Sequence, residues 1–221
     1  VLDLICESSD EISSYSLSAK GSLLCTESGP MADYALLCAS QYLPAWTHLH
    51  LALTEGQIPF ESAFKQDVWS YRQTNDSAGA LFDGWLRKQT STVLAELTEV
   101  LNPMKLGLVG DVGGGQGALL AELLKACPER RGILFEQGHV LSLAGTFMQS
   151  AGVQDRCVLQ ETDFFKEVPK GCDTYILKSV LHDWADEPAV HLLKKIRAAM
   201  SASTRLIVIE RILPKKAHDA V

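Results

Sequence analysis

The sequence predicts an α/β fold, an open parallel sheet with helices on both faces, preceded by a mainly helical region. Three observations carry this. Residues 1 to about 103 show mostly helical patterning. From residue 104, short apolar runs alternate with helical segments, the pattern of a parallel sheet. Between the first of these strands and its helix stands Leu106-Gly-Leu-Val-Gly-Asp-Val-Gly-Gly-Gly-Gln-Gly117, in which an apolar run stops at Asp111 and four glycines follow within five residues. A strand that ends in a glycine turn and opens a helix forms a nucleotide-type binding corner. Gly113, Gly114 and Gly115 allow a tight turn there and leave no side chain between backbone and ligand. The corner alone does not name that ligand.

In the first region, apolar helical stretches cover 31–43 and 46–53, with Pro44 expected to interrupt them. A long helix is expected over 82–101, where Leu86, Leu94, Leu97 and Leu101 fall near one stripe. The alternation at 14–18 reads as a strand of a small hairpin or wing. Asn102-Pro103 marks the boundary between domains 1–103 and 104–221. In the second region, strands are expected at 106–112, 132–135, 157–161, 174–177 and 205–213. Helices are expected at 118–126, 139–151 and 186–200. Pro128 ends the first of these, and Asp186 and Pro188 are placed to start the last.

Composition bounds the function. A chain of 221 residues with 47% hydrophobic content can build a full core. The net charge of -7 argues against a general nucleic-acid binder. The Lys194-Lys195 and Lys215-Lys216 pairs read as solvated surface. No apolar run reaches about 18 residues, so no transmembrane helix is expected, and no signal-peptide pattern is visible. The cysteines at 6, 25, 38, 127, 157 and 172 are scattered, with no C-x-x-C pair. They read as reduced thiols in a cytoplasmic protein with no metal site.

Candidate functional residues gather at the carboxyl ends of the predicted strands. Glu136 ends the second strand and either accepts both hydroxyls of a ribose or is a solvated strand-end acid. Asp163, before Phe164 and Phe165, either accepts an exocyclic amine, with Phe164 against a purine face, or sits in a turn above core aromatics. His182, in Leu177-Lys-Ser-Val-Leu-His-Asp-Trp184, is either a general base or a packing histidine. A phenol with a pKa of about 10 needs help to become a nucleophile at neutral pH, and an imidazole can give it. Glu210 lies near the end of the fifth strand. It either orients His182 through the second ring nitrogen or pairs with a cation such as Arg211, because a carboxylate in an apolar strand is costly alone. The other histidines read as structural.

Asp111-Val-Gly-Gly-Gly-Gln-Gly117, Phe135-Glu136, Asp163-Phe-Phe165, Leu181-His-Asp-Trp-Ala-Asp-Glu187 and Ile209-Glu-Arg-Ile-Leu-Pro214 occur in this order. Together they resemble the S-adenosylmethionine-dependent O-methyltransferases of the caffeate, hydroxyindole and bacterial natural-product type, over about residues 10 to 217. The resemblance implies a Rossmann-like class I methyltransferase sheet preceded by a winged-helix-like dimerisation and substrate-cap region. It implies S-adenosyl-L-methionine as cofactor, a small aromatic acceptor and a homodimer. Residue by residue, it assigns cofactor contacts to Asp111, Gly113, Gly114, Gly115 and Lys178. It gives the ribose to Glu136, where many members have Asp, and the adenine to Asp163 and Phe164. His182 matches the catalytic base, Asp183 the acid beside it, and Glu210 the acid that steers it.

The chain departs from the family pattern at both ends. The last helix, two more strands and a third active-site acid are expected beyond Val221, and the start falls inside the winged-helix-like segment, so a fragment of a longer protein is expected. Methyl transfer to a ring nitrogen and a catalytically inactive cofactor-binding homologue remain as alternatives. A nicotinamide dehydrogenase fits the later His-Asp-Trp element less well.

Overall fold

The computed structural model describes residues 2–7, 14–25 and 31–212. They form two compact units, Val1–Gln89 and Thr90–Val221.

The first unit opens with strands β1 (Ile5–Glu7) and β2 (Tyr15–Leu17), paired antiparallel with Cys6 opposite Ser16. Ser18 caps the short helix α1 (Ala19–Ser22) by accepting from the Gly21 N–H at 3.0 Å. Helix α2 (Ala32–Leu37) runs through a π turn (Cys38–Tyr42) into α3 (Leu43–Trp46). Pro44 therefore does not interrupt the helical run, which corrects the expectation from sequence. The wider turn lets the Leu43 N–H reach the Cys38 carbonyl, and this local change of bonding accommodates Pro44, the second residue of α3. The break comes after Trp46, where Thr47 Oγ1 donates to the Pro44 carbonyl at 2.7 Å. Helices α4 (Leu49–Glu55), α5 (Pro59–Phe64) and α6 (Val68–Thr74) follow. Asp67 caps α6 through the N–H groups of Trp69 and Ser70, at 2.9 and 3.0 Å.

Helix α7 (Asp76–Leu101) begins well before residue 82. The side chain of Asn75 starts it by accepting from the Ala78 N–H. The division between the two units falls inside this helix, after Gln89, and not at 103. The reason lies in its last turns, where Leu94, Leu97 and Leu101 belong to the core of the second unit.

That second unit contains β3 (Val109–Val112), α8 (Ala118–Ala126), β4 (Gly132–Glu136), α9 (Gly138–Ser150), β5 (Cys157–Glu161), β6 (Thr174–Lys178), α10 (Asp186–Ala199) and β7 (Arg205–Ile209). The five strands are all parallel, in the order β5-β4-β3-β6-β7. Side chains alternate across the sheet. One face buries Val109, Leu134 and Ile176 against Leu120, Leu123 and Leu124 of α8 and Met148 of α9. The other buries Val112, Phe135, Tyr175 and Leu177 against Leu192 and Ile196 of α10. Chain order reverses between β3 and β6, which opens a crevice at their carboxyl ends.

Several boundaries differ from expectation for local reasons. β3 is shorter because Gly107 turns left-handed, at φ 62°, and Asp173 Oδ2 takes the Leu108 N–H at 2.7 Å. Ala185, not Asp186, caps α10, and Asp186 and Glu187 place negative charge in its first turn. β7 ends at Ile209; Leu213, Lys215, Lys216 and His218 lie outside the described residues. Two guanidinium groups satisfy the carboxyl end of α8. Arg130 donates to the Leu123 carbonyl at 2.9 Å and Arg156 to the Leu124 carbonyl at 2.6 Å. No helix of the described residues is long and apolar enough to cross a membrane.

Gly117 enters α8 at φ 80°, and a Cβ there would stand 2.1 Å from Cε of the buried Met148. Gly117→Ala is expected to destabilise the second unit by about 1–2 kcal/mol. Urea unfolding of both proteins checks this, and an unchanged midpoint would contradict it.

Candidate active site

The carboxyl end of β3 turns through Gly113, Gly115 and Gly117, all at positive φ. The Gly113 N–H donates to the Phe135 carbonyl at 2.9 Å, which ties the turn to β4. Gly114 must lack a side chain for a different reason: a Cβ there would stand 2.3 Å from Asp111 Oδ2. The Asp111 carboxylate thus lies directly beneath the glycine turn.

Register then decides which groups meet. Asp111 pairs with Leu134 on β4 and Ile176 on β6. Two residues further along each neighbour, on the same face, come Glu136 and Lys178. Glu136 Oε2 accepts from the Gly115 N–H at 3.0 Å, and Oε1 accepts from the Gln137 N–H at 2.9 Å. Asp111 is only 2% exposed, and neither of its oxygens has a hydrogen-bond partner among the described residues. Burial pushes its carboxyl up to about 7; Lys178 opposes this and Glu136 adds to it. Burial in turn lowers the Lys178 ammonium, against the pull of Asp111 and Glu210. Lys178 Nζ donates to Thr90 Oγ1 at 3.0 Å.

Asp163 and Phe164 follow β5. Asp163 is exposed and engaged locally, accepting from the Phe165 N–H at 3.1 Å and pairing with Lys166 at 3.1 Å. Burial would raise its carboxyl, but the Lys166 and backbone bonds outweigh this and hold it below the usual range. Phe164 reaches the glycine turn: a Cβ on Gly113 would stand 3.4 Å from Phe164 Cε1 and 3.1 Å from Val180 Cγ2.

His182 lies on the 3-10 turn Leu181–Asp183 after β6. Its Nδ1 stands 2.6 Å from Glu210 Oε2, and its Nε2 3.4 Å from Asp183 Oδ1. An ionised carboxylate only accepts, so Nδ1 carries the proton toward Glu210. Glu210 is the first residue beyond β7, not inside it. Its Oε1 accepts from the N–H groups of Val180 and Leu181, both at 2.9 Å. Burial would raise the Glu210 carboxyl, yet the His182 and backbone bonds prevail and lower it. The bond to Glu210 thus anchors Nδ1 and leaves Nε2 as the other ring nitrogen, beside Asp183 Oδ1.

Three participants escaped the sequence reading. Thr90 lies 88 residues before Lys178, and no local pattern connects them. The Val180 and Leu181 N–H groups act through backbone, which no residue type announces. In the first unit, by itself, most of the aromatic side chains pack on one another. Phe60, Phe64 and Tyr71 form one group, and Trp69, Phe82, Trp85 and Tyr34 a second. Trp46 stands apart at 63% exposed.

The chain is similar in sequence and fold to known proteins. The chain is 34% identical over 185 residues to the phenazine O-methyltransferase of Lysobacter antibioticus, covering 84% of this chain and 54% of the relative, so it spans about half that protein's length. The solved mitomycin 7-O-methyltransferase superposes with a TM-score of 0.86 at 30% identity, over 91% of this chain and 60% of that one. Human N-acetylserotonin methyltransferase, solved with S-adenosylmethionine, superposes with a TM-score of 0.83 at 25% identity, over 97% and 63%. The O-methyltransferase domain family matches residues 46–221, which takes in the glycine turn, Glu136, His182 and Glu210, and the chain belongs to that family.

Proposed function

We propose that the protein is an S-adenosylmethionine-dependent O-methyltransferase that methylates a hydroxyl of a small aromatic acceptor. The observation that carries this reading is the bond from His182 Nδ1 to Glu210 at 2.6 Å, which leaves Nε2 of a neutral imidazole able to take a proton. The glycine turn supports the cofactor assignment. So does the orphaned Asp111 carboxylate beneath it, a buried acceptor suited to a donor that the protein does not supply. When bound, S-adenosylmethionine supplies a methyl group made electrophilic by its sulfonium. Glu136 would hold the ribose hydroxyls, Asp163 and Phe164 the adenine, and the backbone of Gly113, Gly114 and Gly115 with Lys178 the remainder.

The protein's own part is to orient the acceptor hydroxyl and remove its proton. His182 Nε2 takes that proton, and Glu210 on Nδ1 stabilises the imidazolium that results. Asp183, beside Nε2, adds negative charge on the side where the proton arrives. Orientation of the reactants contributes up to about 7–11 kcal/mol in favourable systems. Assembly as a homodimer is part of the proposal. The exposed apolar side chains of Leu43, Trp46 and Leu53 on the first unit support it. Six free cysteines support a cytoplasmic location.

Calorimetric titration of S-adenosylhomocysteine is expected to show binding that Glu136→Ala weakens by about 10- to 100-fold. Equal affinity in the variant would remove Glu136 from the site. His182→Ala is expected to keep that affinity and to lose about 10²- to 10⁴-fold in turnover of a phenolic acceptor. A screen that finds turnover only on nitrogen heterocycles would replace the oxygen acceptor. Asp111 yields a pH dependence. Its folded-state pKa is raised, so its contribution to stability is complete near pH 4 and is lost as pH rises through about 7. Thermal melts of Asp111→Asn, which cannot ionise, are expected to gain on the wild type across that window. A constant difference would refute the burial argument.

A further inference from the structure

Ser179 is the one described non-glycine residue of the second unit with left-handed backbone, at φ 56°. It joins β6 to the turn that carries His182. Its own N–H makes the last ladder bond of that edge, to the Ile209 carbonyl at 3.0 Å. In an extended chain, successive N–H groups point to opposite sides. A left-handed residue followed by a right-handed one, here Val180 at φ -117° and ψ -47°, instead turns successive N–H groups toward one point and makes a concave anion site. The anion is supplied by the protein: the Val180 and Leu181 N–H groups meet on Glu210 Oε1, both at 2.9 Å.

We propose that Ser179 is a positioning residue, whose left-handed turn seats one oxygen of Glu210 in a backbone cradle and thereby holds the other oxygen on His182 Nδ1. The inference rests on the reading of His182 as the proton acceptor. One bond to His182 alone would leave the Glu210 carboxylate free to rotate; three donors spread over two oxygens fix it. The hydroxyl of Ser179 plays little part, since its contact with Lys178 Nζ is long, at 3.5 Å. The position therefore selects for backbone tolerance and not for a hydroxyl. Glycine adopts positive φ freely and Asn does so more readily than most residues, whereas a β-branched residue there is an outlier.

The test uses full-length protein with 15N-labelled histidine and the series Ser179→Gly, Ser179→Asn, Ser179→Ala and Ser179→Val. The His182 Nδ1–H resonance, shifted downfield by its short bond to a carboxylate, is read by NMR without any acceptor; turnover is read separately. Gly and Asn are expected to keep the resonance and a kcat within about 3-fold of wild type, and Val to lose the resonance and about 10-fold or more in kcat at unchanged cofactor KM. Ala should fall between, so the ranking of Gly above Ala decides the matter even if the Val variant does not fold. In a Glu210→Ala background, Ser179→Val should cost less than about 2-fold further, because both changes act through one carboxylate. A resonance retained in the Val and Ala variants, or Gly and Asn as impaired as Val, or independent losses that multiply, would overturn the proposal. An intact resonance in a wild-type protein that methylates no phenol would instead overturn the role of His182 and leave the cradle standing.

Discussion

Parallel pairing of β3 with both neighbours is the constraint on which the second unit depends. Because Asp111 stands level with Leu134 and Ile176, the three strands release their chains at one edge within a residue or two of each other. A slip of one residue would send Glu136 and Lys178 to the face packed by α10. The register in turn is held by the two apolar layers, each closed by helices whose own ends are satisfied by side chains such as Arg130 and Arg156.

Three carboxylates at this edge show how differently one chemical group is treated. Glu136 and Glu210 each have backbone N–H groups to accept from, which offsets the cost of burial, and at Glu210 these bonds and that of His182 hold the carboxyl below its usual range. Asp111 receives none, and the fold tolerates this only by letting the proton stay on until about neutral pH. The contrast follows from position. Glu136 and Glu210 stand where strands end and free N–H groups begin, whereas Asp111 lies within β3 beneath the turn, and neither of its oxygens meets a donor among the described residues.

The alternating order of strands and helices was legible in the sequence because apolar spacing reports which face of an element is buried. Helix 118–126 and strand 157–161 match residue for residue. What the spacing could not report was backbone hydrogen bonding. Pro44 looked like a break because the π turn that accommodates it leaves no mark in residue type. The early end of β3 depends on Asp173, 65 residues away from the Leu108 N–H it accepts. The candidate site was legible to the extent that it lives in side chains: the glycine run, Glu136, His182 and Glu210 could be singled out by residue type and place. Its cradle of N–H groups and the Lys178–Thr90 bond did not.

Two thiols on opposite faces of the sheet have a use unconnected with methyl transfer. Cys157 sits on the face of the sheet that holds Asp111, and Cys172 on the opposite face, where its Sγ would lie 2.8 Å from a Cβ on Gly110. Burial pushes both up to about 11, so almost no thiolate exists at neutral pH while the sheet is closed. Cys172 is buried and Cys157 half-buried, so opening of either covering raises the reactivity of the thiol beneath it. The chain thus carries a pair of chemical reporters, one per layer, whose separate rates of alkylation would tell whether the two helical coverings come away from the sheet together or one at a time.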